Sequence, residues 1–165
     1  MITRDKIAQS DIEINRLREL LLSVDKLDGD MAEVGVFHGG TASIMRELSN
    51  PSKHLYLYDT YVDDYGGVMD YFGGMDNVSV IKTDFDGTQK VGGKFCFVHI
   101  DTDLYEPTLR ALEVFYPKMV KGGVIVVHDY THIACAGPQV ACVQFFSDKP
   151  EAVEKNDSQG IYTKQ

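Results

Sequence analysis

Five short apolar runs, Met31–Val36, His54–Tyr58, Val78–Ile81, Phe95–Ile100 and Val124–His128, recur along the chain with helical or loop stretches between them. They are apolar almost throughout, as strands covered on both faces are. They therefore point to a parallel sheet under helices rather than to half-exposed hairpins. Between them, Thr41–Leu48 and Pro107–Met119 read as helices, the second carrying its proline early, where a missing N–H costs little. Upstream, Ile7, Ile14, Leu17, Leu21 and Val24 are spaced by three, four or seven, which predicts an amphipathic cap helix from about residue 4 to 24. Downstream, Pro138–Phe146 can form another helix. Ala152–Glu154 and Ile161–Lys164 flank the turn-rich segment 156–160, a pattern that suits a hairpin. The expected fold is a doubly wound α/β sheet with helices on both faces. With 165 residues and 44% apolar content, the chain supports one core, so a single domain over 1–165 is expected.

The stretch from Tyr61 to Met75 resists this pattern. Gly66, Gly67, Gly73 and Gly74 with Asp63, Asp64 and Asp70 oppose a stable helix, so a loop is expected, serving as a lid or as a plain surface crossover.

Net charge narrows the partners. A formal charge of -9 and the lack of any clustered Lys and Arg disfavour nucleic acid, whose binding rests on displaced counterions, and a small molecule is the expected ligand. Three cysteines, Cys96, Cys135 and Cys142, show no paired spacing and suit a reducing compartment. No apolar signal core begins the sequence and no apolar stretch approaches the roughly 20 residues of a membrane span, so a cytoplasmic protein without membrane contact is expected.

Two places carry chemistry. The first run ends in Glu33-Val34-Gly35-Val36-Phe37-His38-Gly39-Gly40-Thr41 before a helix, an order in which a glycine turn presents backbone N–H groups and a helix N-terminus to a ligand. A pyrophosphate-binding loop has the order G-x-G-x-x-G, whereas here Glu33 precedes Gly35. A carboxylate there repels phosphate but suits a cationic amino-acid head such as that of S-adenosylmethionine (SAM). Asp59 ends the next run, where an acid can accept both ribose hydroxyls. The plain alternative is a tight-turn glycine pair with a surface aspartate.

The second place is His99-Ile100-Asp101-Thr102-Asp103, joined by Val127-His128-Asp129-Tyr130-Thr131-His132 at the following strand end. Carboxylates from Asp101 and Asp129 suit a hard cation such as Mg2+ or Mn2+, and His128 makes the site friendlier to a transition metal. A bound cation lowers the pKa of a hydroxyl and orients it. His132 is the first candidate base, since its pKa lies near neutrality, and Asp101 the second. Asp103 reads as an N-cap for the helix beginning near Tyr105. His38 and His54 read as structural or solvated.

These residues resemble the macrocin O-methyltransferase family, which methylates sugar hydroxyls of macrolide and aminocoumarin natural products. The resemblance rests on Ala32–Ala42, on Tyr58-Asp59-Thr60, and on the block from His99 through Thr108, Tyr116-Pro117, Gly122-Gly123 and Asp129–His132, and extends over most of 30–164. It implies a class I, Rossmann-like methyltransferase sheet of seven strands, the last antiparallel. By resemblance Glu33, Gly35, Gly39, Thr41 and Asp59 contact SAM, with Phe37 and Gly40 in the same loop and Asp84 near the adenine. Asp101 and Asp129 hold magnesium, and His132 matches a base used by some members. The family has two aspartates where this chain has His128-Asp129, and the chain is shorter before Met31 and between Tyr61 and Asn77. The acceptor is expected to be a small hydroxylated molecule. The exposed side of the N-terminal helix is expected to pair with a second copy. Two rival readings are a SAM- or nucleotide-binding module without methyl transfer and a nicotinamide oxidoreductase, the latter opposed by Glu33 and the missing third glycine.

Overall fold

A computed structural model describes residues 8–165. Seven strands form one sheet: β1 (Asp30–Val34), β2 (Leu55–Asp59), β3 (Val78–Lys82), β4 (Phe95–Ile100), β5 (Met119–Val127), β6 (Glu154–Asn156) and β7 (Gln159–Thr163). Their order is β3-β2-β1-β4-β5-β7-β6, with β1 to β5 mutually parallel and β7 antiparallel to both neighbours. The order reverses between β1 and β4, where a crevice opens beyond the carboxyl ends of the strands. Five helices, α1 (Asp11–Val24), α2 (Gly40–Leu48), α3 (Tyr65–Phe72), α4 (Tyr105–Phe115) and α5 (Ala136–Phe146), cover the two faces. Alternate residues of β5 show the division. Val124 and Val126 pack with the α1, α2 and α3 core, while Ile125 and Val127 pack with the α4 and α5 core. The doubly wound expectation holds, including the antiparallel last strand.

Several boundaries differ from those read in the sequence, each for a local reason. Residues 4–7 of the expected cap helix lie outside the described residues, and α1 begins only at Asp11. Ser10 caps it there, its hydroxyl taking the Glu13 N–H while the Glu13 carboxylate takes the Ser10 N–H. The apolar stripe Ile14, Leu17, Leu20, Leu21 and Val24 is buried within this chain, leaving Ile12 and Leu22 as the exposed large apolar side chains of the helix among the described residues. The segment read as a loop contains α3. Asp64 caps it through the Gly67 N–H, and Val68 and Phe72, one turn apart, are fully buried. Burying those two side chains contributes about 1.5–3 kcal/mol each, more than the roughly 1 kcal/mol cost of each of the glycines at 66 and 67.

The helix read as 107–119 runs from Tyr105 to Phe115 and tightens into a 3-10 turn at Tyr116–Lys118, so β5 starts at Met119 rather than Val124. Asp103 is not its N-cap. Leu104 holds that position without a side-chain bond, and Asp103 stands just before it with a φ of 59°. The closing hairpin pairs Glu154–Asn156 with Gln159–Thr163 around Asp157, which takes a φ of 52°. Among the described residues, no helix is long and apolar enough to cross a membrane.

The ends of β1, β4 and β5 are joined in a row. Asp101 N–H donates to Val34 O at 2.8 Å, and His128 N–H donates to Ile100 O at 2.9 Å. Gly35, at a φ of +87°, presses so closely on this row that a Cβ there would lie 1.8 Å from the Asp101 carbonyl oxygen. The left-handed backbone and the contact both demand glycine. Gly35→Ala is therefore expected to destabilise the fold by ~3 kcal/mol or more, combining backbone strain with overpacking. Urea denaturation checks this, and a midpoint unchanged from the parent would contradict it.

Candidate active site

A cleft of about 520 Å³ lies across the carboxyl ends of β1, β2, β4 and β5. Its floor on the β1 side is Glu33, Gly35 and the loop to α2. Asp59, at the tip of β2, secures that loop: its Oδ2 accepts from the Val36 and Phe37 N–H groups at 2.6 and 2.9 Å, and its Oδ1 accepts from Tyr61 N–H at 2.6 Å. Thr60 Oγ1 adds a longer bond to Oδ1 at 3.3 Å, so about four lone-pair positions meet four donors, and a ligand hydroxyl would take the place of the Thr60 hydroxyl. Gly39 caps α2 at a φ of 80° with no side chain to satisfy the first-turn amides, which leaves that turn suited to a polar ligand. Gly40 and Thr41 line the cleft, Phe37 stands half exposed at its rim, and Asp84 lies exposed beside Phe85 at its far end.

Glu33 is buried, with Oε1 3.0 Å from His99 Nδ1 and Oε2 without a hydrogen-bond partner among the described residues. Burial pushes its carboxyl up to about 7, against the opposing hydrogen bond and charge of His99. His99 is thus the partner of Glu33 on the adjacent strand.

Asp101, His128 and Asp129 converge at the ends of β4 and β5, their ligand atoms all within 4.8 Å of one another. His128 Nδ1 lies 3.1 Å from Asp101 Oδ1 and 3.4 Å from Asp129 Oδ1, yet neither oxygen lies in line with an N–H on that buried nitrogen. The other ring nitrogen, Nε2, is 3.4 Å from Glu13 Oε1. Burial opposes a charge on His128, but the carboxylates of Asp101 and Glu13 outweigh it and raise the ring to about 11. Burial also acts to raise Glu13, and His128, Ser158 and Ser10 overcome it and hold that carboxyl at about 2. Asp101 is likewise held below its usual range by His128 despite burial. Asp103 faces this group: burial, then the hydrogen bond to Asp129 and the charge of Asp101, push it up to about 6.

His132 lies elsewhere. It sits on the exposed turn after β5, outside the residues that line the cleft, while Asp101 lies inside it. Three residues of the site escaped the sequence reading. Asp103 had been assigned to a cap. Gln9 is buried in the cleft, taking a 2.5 Å hydrogen bond from Thr41 Oγ1 and donating to Asp101 Oδ2 at 3.3 Å, a residue 92 positions away. Glu13 sits one helical turn further on. The Ser10-x-x-Glu13 spacing signals a helix start, but nothing in it signals contact with His128. A second hollow, at the opposite end of the sheet, contains Lys53, whose ammonium donates to the Leu27 and Gly29 carbonyls and so fastens the turn before β1.

Residues 32–130, more than half of the chain, match the family described as a methyltransferase domain. The chain belongs to that family. It is 24% identical over 170 residues to the 8-demethyl-8-(2,3-dimethoxy-α-L-rhamnosyl)-tetracenomycin-C 4'-O-methyltransferase of Streptomyces olivaceus, covering 78% of this chain and 65% of that protein. The chain thus spans about 65% of the length of that curated relative. Its fold matches the O-methyltransferase NovP with a TM-score of 0.76 at 18% identity, over 93% of this chain and 79% of the other. It also matches CalS11, a TDP-rhamnose 3'-O-methyltransferase of calicheamicin biosynthesis, with a TM-score of 0.74 at 20% identity, over 92% and 78%. These comparisons agree with the class I methyltransferase resemblance carried by the glycine loop and the His99–His132 block.

The charged cluster implies a pH window. The raised His128 contributes stability below about pH 6.5 that is lost as pH rises toward about 11, and the lowered Glu13 contributes stability above about pH 4.5 that is lost as pH falls toward about 2. In chelator-treated protein the cluster's contribution is therefore expected to be greatest between about pH 4.5 and 6.5. His128→Asn should lower the urea midpoint most at pH 5.5 and progressively less at pH 9 to 10. An equal loss at every pH would contradict this assignment.

Proposed function

We propose that this chain transfers a methyl group from SAM to a hydroxyl of a small molecule, with a divalent cation, Mg2+ or Mn2+, at Asp101, His128 and Asp129. The observation that carries this reading is adjacency: the Gly35 contact puts the glycine loop directly against the Asp101 backbone, so a cofactor on the loop and a hydroxyl at the carboxylates would share one cleft. Family membership supplies the reaction class, and the sugar O-methyltransferases among the similar proteins favour a glycosylated or otherwise hydroxylated acceptor.

The residues suit the parts of SAM. Asp59 would accept from ribose hydroxyls, the amides at the start of α2 and the loop would hold the amino-acid end, and Glu33 would compensate positive charge beneath it. Asp84 and Phe85 would flank the base. When bound, SAM supplies an electrophilic methyl group on a cationic sulfur. The cation site fits its proposed role because the buried His128 Nδ1 and the oxygens of Asp101 and Asp129 point into one small space. A cation there would supply the charge that acidifies an acceptor hydroxyl. Among the carboxylates that line the cleft, Asp101 and Asp103 stand beside the proposed cation site, and Asp101 is the preferred base over His132, which stands outside the cleft. Phe37 and Leu104, both exposed at the rim, offer apolar surface to the acceptor.

The negative charge and absence of a basic cluster support a small-molecule partner over nucleic acid, and the unpaired Cys96, Cys135 and Cys142 suit a cytoplasmic setting. A homo-oligomer belongs to the same reading, with light scattering as its check, although the burial of the α1 stripe leaves that helix little apolar surface to offer. A binding module without transfer is the alternative, favoured by the way His128 is already matched with carboxylates.

Calorimetric titration separates these readings. Asp59→Ala is expected to weaken SAM binding at least tenfold, whereas Asp129→Ala should leave SAM binding within about threefold and abolish cation-dependent methylation of hydroxylated acceptors. Parallel loss of SAM affinity in both variants would overturn the division of the cleft. SAM binding without turnover on any acceptor would favour the binding module.

A further inference from the structure

We infer that Glu13 on α1 is a positioning residue that holds His128 as a nitrogen ligand, so that the centre prefers a transition-metal ion such as Mn2+ or Co2+ over Mg2+. The inference rests on the proposed cation site and deepens it. Glu13 is buried and closely held. Its Oε2 accepts from the Ser10 N–H at 2.8 Å, and its Oε1 accepts from both the hydroxyl and the N–H of Ser158. This carboxylate and the Ser158 hydroxyl each lie 3.4 Å from His128 Nε2. With the Nε2 proton directed at the Ser158 hydroxyl, which itself donates to Glu13 Oε1, a cation that displaces the Nδ1 proton would meet the lone pair of a neutral ring there. That is the nitrogen facing Asp101 and Asp129 without a well-aligned partner.

A carboxylate behind a ligating imidazole sets the tautomer, aims the ring and raises its basicity. The resulting donor set is two carboxylate oxygens and one imidazole nitrogen. Imidazole strengthens binding of first-row transition ions far more than of Mg2+, which favours oxygen and water. Because α1 supplies Glu13 and the β6–β7 turn supplies Ser158, the centre's selectivity is set by two elements that provide none of its ligands.

The test is calorimetry on chelator-treated protein with MgCl2, MnCl2 and CoCl2 for the parent, Glu13→Gln and His128→Asp, with the visible absorption of the Co2+ complex as a second readout. SAM titration of each variant confirms a folded cleft. The parent is expected to bind Co2+ and Mn2+ at least tenfold more tightly than Mg2+. Glu13→Gln should weaken Co2+ about tenfold and change its absorption while leaving Mg2+ within about twofold. His128→Asp should abolish the preference, and it tests the nitrogen ligand independently if Glu13→Gln fails to fold. Mg2+ bound as tightly as Co2+, or an equal effect of Glu13→Gln on every ion, overturns the inference while the cation site stands. No binding of any ion by protein that still binds SAM overturns the cation site itself, and this inference with it.

Discussion

No side chain fits between the end of β1 and the end of β4. Gly35 lies against the Asp101 carbonyl, and that contact sets the distance between the loop that would receive the cofactor and the carboxylates that would receive the acceptor. The rest of the cleft is built outward from it. Tyr58 O accepts the Gly35 N–H on one side, and Asp59 then draws the loop's next two amides onto the tip of β2. On the other side the ladder from β4 to β5 brings His128 and Asp129 level with Asp101. A parallel sheet makes this possible because it directs successive carboxyl ends to one edge, and the reversal of strand order opens a crevice there.

The same convergence creates an electrostatic problem. Glu13, Glu33, Asp59, Asp101, Asp103 and Asp129 gather at one edge of a chain that already carries a formal charge of -9. Different devices contain them. Glu33 is driven toward neutrality by burial, Asp59 is solvated by backbone amides, and Asp101 and Glu13 share the ring of His128. Asp103, lacking a cation of its own, is pushed upward. An edge of this kind favours cationic ligands, and a sulfonium cofactor and a divalent ion are both cationic.

Much of this arrangement was legible in the residues. The unbroken apolar runs identified the strands because both faces of a parallel sheet are covered, and Glu33-x-Gly35, Asp59 and Asp101 stood at strand tips where ligands gather. The misreadings share a cause. The glycines at 66, 67, 73 and 74 argued against α3, but burial of Val68 and Phe72 outweighs their propensity cost. Asp103 carried an N-cap residue's chemistry and a helix did follow, yet its side chain turns to Asp129. His132 had the right chemistry for a base and the right neighbours in sequence, and the turn after β5 carries it outside the cleft.

By itself, the sequence determined the layer architecture, the edge at which chemistry would gather and the residue types present there, since hydrophobic period and strand-end motifs are local properties read along a few residues. Only the tertiary structure decided which charges face one another. Gln9 meets Thr41 and Asp101, Glu13 meets His128 and Ser158, and His99 meets Glu33 through strand register and helix docking. Such contacts join residues far apart in the chain, and their energies depend on burial and distance, which no linear pattern encodes.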